Sequence, residues 1–245
     1  MHGGRDFAGP GLYNEGMPQT PLLRSRIFDG LTDAERERWL ARATPTTVKR
    51  GQVLARQGDP AHHFYLLETG FLKLLQLTAE GTEVIVRFVA PGEPFGGVVA
   101  LGNAAYPVTA VVVQPSTLRS WTRDVVSELL MQTPQVRVNI MREMATHMTD
   151  MLTRVRELTT ARVGQRLAHA LLRLARQCGQ PGSDGVLISQ PLTRQELADL
   201  TGATLYTVSR TLAKWESDGL LESRKRRLLL KSLKGLEQIA VTEES

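Results

Sequence analysis

The chain has 245 residues with a formal net charge of +5, 42% hydrophobic and 22% charged. That length allows one large domain or two ordinary ones, and the composition excludes both a disordered polar chain and a fibrous one. The single cysteine, Cys178, excludes an internal disulfide and a cysteine-based zinc or iron-sulfur site, while short apolar runs and no N-terminal export segment lead us to expect a cytoplasmic protein without a membrane span.

The charge is unevenly placed. Residues 161–245 carry 13 Lys/Arg against 9 Asp/Glu, whereas residues 1–160 carry 17 against 16. A basic last third points to a polyanionic partner, most simply nucleic acid.

In chain order, residues 1–24 are rich in glycine and proline without a period and read as a flexible arm. Thr32-Asp-Ala-Glu35 is a capping box that opens a short helix. Apolar β-type runs follow at 52–55, 64–67, 71–77, 83–89 and 108–113, separated by glycines at 51, 58, 70, 81 and 92. That spacing is expected of an antiparallel barrel or jelly roll over residues 25–133.

Past Pro134 the period becomes helical. Met141, Met144, Met148, Met151, Val155 and Leu158 recur at steps of three and four, the a/d stripe of a long helix over 134–159. Such a stripe suits a parallel dimer seam, with Val136, Ile140 and Leu152 off the seam for contact with the β-domain. Packing of the whole stripe on its own β-domain is the other reading. A boundary is expected near Thr159-Thr160, then a helix over 163–178 and a loop over 179–185.

Residues 160–245 carry the functional motif. Thr193-Arg-Gln-Glu196 is a second capping box, Gly202 marks a turn, and Thr204 caps a helix running to Trp215. Ala198 and Gly202, four apart, supply the small contact residue and the positive-φ bend of a helix-turn-helix. Leu197, Leu200, Val208 and Leu212 form its core, which leaves Leu205, Tyr206, Ser209 and Arg210 on the outer face that enters a major groove. Residues 220–230, with basic Arg226 at the turn, read as a wing.

Through Lys49-Arg-Gly-Gln-Val-Leu54, Gly58-Asp-Pro60, Phe88-Val-Ala-Pro-Gly92, Leu192 to Ala198, Thr207-Val-Ser-Arg210 and Trp215 to Leu221, the chain resembles the bacterial family of the cyclic-AMP receptor protein and the fumarate-nitrate reductase regulator (CRP/FNR). The resemblance implies an α+β fold: an N-terminal cyclic-nucleotide-binding-like β-roll (jelly roll), a long dimerisation helix and a C-terminal winged helix-turn-helix. It implies a homodimeric transcription factor that binds double-stranded DNA and works with RNA polymerase. By the same resemblance Arg210 reads a guanine, and Thr193, Arg194, Gln195, Thr204 and Thr207 contact phosphates. The family often has a glutamate four residues before that arginine to accept from cytosine N4. Here Tyr206 stands there, so the half-site is expected to keep the guanine and change at the neighbouring step.

The sensor departs from each well-known branch. The ribose-binding glutamate of the cyclic-AMP branch aligns with Gly97, its phosphate-binding Arg-Ser pair with Val108-Thr109, and its adenine-reading Thr-Ser pair with Asp150-Met151. A phosphate buried without its arginine costs several kcal/mol, which speaks against cyclic AMP. Four cluster cysteines are missing, which excludes an iron-sulfur cluster. The haem ligands of the carbon-monoxide-sensing branch fall on Gly96 and Val98, so haem has no recognised ligand, although His2, His62, His63, His147, His169 or a methionine stay open. His62-His63 invites a metal reading, but neighbouring strand residues face opposite ways and do not easily hold one ion, and the place of the pair after Gly58-Asp-Pro60 reads as an exposed turn. What remains is an apolar pocket between Gly96, Gly97, Val98, Val108, Thr109 and the Met144, Met148, Met151 ladder, taking a small molecule or haem or filled by side chains.

No catalytic set of residues stands out, so no enzyme is expected. A regulator that needs no effector and a ligand sensor with a protein output are the alternatives.

Overall fold

The computed structural model describes residues 21–241 apart from Glu80, Asn103, Ser189, Lys225 and Arg226. Most of the expected arm over 1–24 therefore lies outside the described residues. From Pro21 the chain forms turns, and Leu22 is buried in the core of the β-domain.

The reciprocal Thr32/Glu35 box starts α1 (Asp33–Ala41). β1 (Thr44–Val48), β2 (Val53–Ala55), β3 (His63–Leu77), β4 (Glu83–Val89), β5 (Pro94–Phe95) and β6 (Thr109–Thr122) form one antiparallel sheet of order β1-β6-β3-β4, with β2 on β6 and β5 on β3. The runs expected at 64–67 and 71–77 are one strand. Gly70, at φ +98°, lets β3 pass through an irregularity in its pairing with β6 without breaking. α2 (Arg123–Gln132) was not expected; it follows β6 directly and buries Val126, Leu129 and Leu130. Trp39 and Trp121 meet edge to face at 5.9 Å within this core, and the Trp121 indole donates to the Trp39 carbonyl at 2.8 Å.

Pro134 opens α3 (Pro134–Thr160), where its missing N–H costs nothing. Val136 and Ile140 are buried against the β-domain, as the period requires. Leu152 is exposed instead: four residues after Met148, it shares the side of the helix that the seam occupies. The inward face at this level carries Glu157, 5% exposed, which takes Arg173 at 2.7 and 2.9 Å through both carboxylate oxygens.

α4 (Val163–Cys178) lies under α5 (Arg194–Thr201), α6 (Leu205–Ser217) and α7 (Leu233–Val241). The segment expected as a loop over 179–185 is a hairpin, β7 (Gly179–Gly182) with β8 (Gly185–Ile188), which joins β9 (Leu221–Arg224) and β10 (Arg227–Leu230) in a sheet of order β7-β8-β10-β9. Gly179 answers to a close approach: a Cβ there would lie 2.5 Å from Val186 Cγ1. Phe71, Ile85, Phe88 and Ala90 of the β-domain belong to the core of this second unit, with Phe71 stacked on Phe88 at 4.9 Å.

Candidate nucleic-acid interface

The helix-turn-helix forms from its local signals. Thr193 Oγ1 accepts from the Glu196 amide at 3.1 Å while the Glu196 carboxylate accepts from the Thr193 amide at 2.9 Å. Gly202 adopts φ +60°, and a Cβ there would press on Leu158 at 3.0 Å. Thr204 Oγ1 accepts from the Thr207 amide at 3.2 Å and starts α6. Leu197, Ala198, Leu200, Val208 and Leu212 are buried between the two helices.

What this core leaves outside is the N-terminal half of α6. Leu205 is 47% exposed and Tyr206 73%. Arg210 is exposed one turn on, with its guanidinium carbon 5.8 Å from the centre of the Tyr206 ring. Ser209 and Thr207 are half-buried beside them, and Arg194, Gln195 and Thr204 are exposed. Thr193 is half-buried, its hydroxyl held in the capping box, and Gln195 donates to Asp199 at 2.7 Å. Arg194 and Thr193 open α5 next to the exposed face of α6. The wing strands are present, and Arg224 and Lys231 hold the Glu222 carboxyl down at about 2 through short ion pairs. Arg226, expected at the wing tip, lies outside the described residues.

The apolar stripe expected along α3 is exposed at five of its six positions. Met141, Met148, Met151, Val155 and Leu158 are all exposed, Met148 at 64%, and Leu152 joins them. Met144 differs, turning inward to pack on the β-domain core.

Between α3 and the sheet lies a cavity of about 140 Å³. Gly96, Gly97, Val98, Val108 and Met144 line it as expected, together with aromatic Phe64, Phe95 and Tyr106. Thr109 is buried beside it, its hydroxyl accepting from the Gln57 amide at 3.0 Å. Met148 and Met151 stand away from it on the seam side of α3. Two polar wall residues, Arg87 and Glu143, were missed, and His147, left open only as a haem ligand, is a third. An arginine inside the apolar run Val84 to Val89, and a Glu/His pair four apart around Met144, were the signals available. Burial and the nearby Arg87 and Arg26 push His147 down to about 4, while burial raises Glu143.

Residues 45–133 match the cyclic nucleotide-binding domain and residues 165–239 the Crp-like helix-turn-helix domain. The chain is 28% identical over 176 residues to the transcriptional activator protein FnrA of Stutzerimonas stutzeri, 72% of each chain. It is 22% identical over 209 residues to a CRP-like cAMP-activated global transcriptional regulator of Mycobacterium tuberculosis, 85% of this chain and 93% of that one. The chain belongs to the CRP/FNR family. The fold agrees: FixK2 from Bradyrhizobium japonicum superposes with a TM-score of 0.73 at 22% identity, over 82% of this chain and 99% of that one.

As a CRP/FNR member the chain is a DNA-binding transcription regulator, and the family's members are regulators rather than enzymes. The cavity of its β-domain has a charged residue in its wall. Arg87 enters from β4, and its two terminal nitrogens donate to the carbonyls of Phe88 and Pro94 and to the Glu93 carboxylate at 3.1–3.3 Å. Glu93 in turn accepts from Gln177 of α4 at 2.6 Å. The cavity's arginine is thus neutralised and committed to joining β4, β5 and α4. Among the described residues no group of three or more His, Cys, Asp or Glu gathers to hold a metal, and no helix is long and apolar enough to cross a membrane.

Proposed function

We propose that the chain acts in the cytoplasm as a homodimer, paired through the α3 seam, on a two-fold symmetric duplex with half-sites about one helical turn apart. The observation that carries this is the apolar line Met141, Met148, Met151, Val155 and Leu158 left in solvent along one helix, at the heptad spacing two parallel copies bury together. In this reading Arg210 bonds guanine O6 and N7 from each half-site. Leu205, Tyr206 and Ser209 face neighbouring bases, Thr193, Arg194, Gln195, Thr204, Thr207 and Arg226 meet phosphates, and RNA polymerase is the protein partner.

The effector we propose is small and largely apolar, and it is not cyclic AMP. Ligand pockets generally enclose ~300–1,000 Å³, whereas an apolar cavity of ~150 Å³ takes a molecule such as benzene. The cavity here, at about 140 Å³, belongs with the second kind, and its arginine is already paired. An effector of this size would act by favouring one arrangement of α3 over another. The same smallness favours, as a second reading, a regulator whose cavity walls already meet and which binds DNA unaided.

Light scattering of the purified chain and selection from random duplexes test the assembly. A dimer that enriches an inverted repeat, with affinity falling steeply with salt, is expected. Met148→Arg should give monomers and lose the repeat. A wild-type monomer, or no enriched duplex with or without small aromatic additives, overturns the proposal.

A further inference from the structure

Tyr206 and Arg210 are four residues apart on α6, so they project from one side of the helix about 6 Å apart along its axis. Stacked base pairs are about 3.4 Å apart, so two such side chains reach bases one or two steps from each other. Tyr206 is the most exposed aromatic residue on this face, and nothing in the core explains its size. Its ring lies 5.8 Å from the Arg210 guanidinium carbon. The carboxylates of these helices are engaged elsewhere: Glu196 caps α5, Asp199 accepts from Gln195, and Glu216 accepts from the Ser223 amide at 2.8 Å.

A tyrosine here does two things that a carboxylate cannot. Its ring face attracts the guanidinium while leaving the five N–H donors free, where a carboxylate would occupy two of them. Its ring edge is apolar, and in the major groove the apolar feature is the C5-methyl of thymine. A long arginine held over a ring also has less rotamer freedom to lose when it docks on a base.

We propose that Tyr206 is a specificity-determining residue that steadies Arg210 for its guanine and itself selects a thymine beside that guanine through the C5-methyl group. This rests on the reading of Arg210 as the guanine contact, and the experiment separates the two.

Duplex selection with wild type, Tyr206→Phe, Tyr206→Ala, Tyr206→Glu and Arg210→Ala is followed by titration of the selected site with deoxyuridine in place of the thymine. Wild type and Tyr206→Phe should select the same guanine and thymine, and each should bind the deoxyuridine duplex about 2- to 5-fold more weakly. Tyr206→Ala should keep the guanine, bind the wild-type site about 2- to 5-fold more weakly through the lost ring contact, and treat thymine and deoxyuridine alike. Tyr206→Glu should shift the neighbouring preference to cytosine. Both positions substituted, Tyr206 and Arg210, are exposed, and unchanged melting temperatures of the four variants would show that folding is intact.

Wild type indifferent to the missing methyl, or a thymine preference that survives in Tyr206→Ala, overturns the proposal while leaving Arg210 in its role. Guanine selection that survives in Arg210→Ala overturns the underlying reading instead.

Discussion

Arg154 of the long helix donates through Nη2 to the Leu200 carbonyl of α5 at 2.6 Å, and through Nη1 to the Val86 carbonyl of β4 at 2.7 Å. One half-buried guanidinium thus spans the β-domain sheet, the long helix and the DNA reader. Around it Phe71, Ile85 and Phe88 of the β-domain sit in the reader's core, and Gln114 of β6 meets Gln190 at 2.7 Å. The reader is therefore not a bead on a tether past Thr160. Its orientation is coupled to the sheet whose other side forms the cavity.

Arg154→Ala should loosen that coupling. Hydrogen bonds to charged donors contribute about 1.5–3 kcal/mol each, so losing two, partly replaced by water, should cost about 2–4 kcal/mol of stability. Hydrogen exchange should rise in α5 and β4 together, and calorimetry should show one transition for the wild type and separate reader and β-domain transitions for the variant. Equal protection in both proteins would show that the apolar contacts alone hold the domains together.

Gly70 faces Ser116 across β3 and β6, and a Cβ there would lie 2.6 Å from the Ser116 Cα. Gly70→Ala combines that clash with a positive φ and should destabilise by about 3 kcal/mol or more in urea unfolding. Gly51 has a similar φ of +82° with nothing within 4 Å, so Gly51→Ala should cost only about 1–2 kcal/mol. Equal losses would mean that the backbone angle, not the clash, sets the penalty.

His147 is held neutral, with its pKa pushed down to about 4 by burial and by Arg87 and Arg26. The unfolded chain takes up this proton near pH 6.5 and the folded chain only near pH 4. Its contribution is therefore complete above pH 6.5 and declines as pH falls from 6.5 to 4. Glu143 and Glu93, the carboxylates near it, stay in both proteins when His147→Leu is compared with wild type. The variant's melting temperature should fall less between pH 7 and pH 4.5. Parallel curves would place the imidazole in water.

The amino-acid sequence by itself determined whatever closes within a turn or two of chain. Both capping boxes, the bend at Gly202 and most of the exposed apolar stripe of α3, though not the inward turn of Met144 or the exposure of Leu152, were legible, because hydrogen bonds and side-chain faces at three- and four-residue spacing depend on the local backbone alone. The partners of Arg87, Arg154 and Glu157 were not legible, nor was the hairpin over 179–188. Arg154 reaches residues 68 and 46 positions away, and Gly179 became a strand only because Ile188 and then Leu228 lay alongside. A charged side chain far from its partner has no periodicity to betray it. Only the folded packing decides whether it faces water, a carbonyl or a cavity.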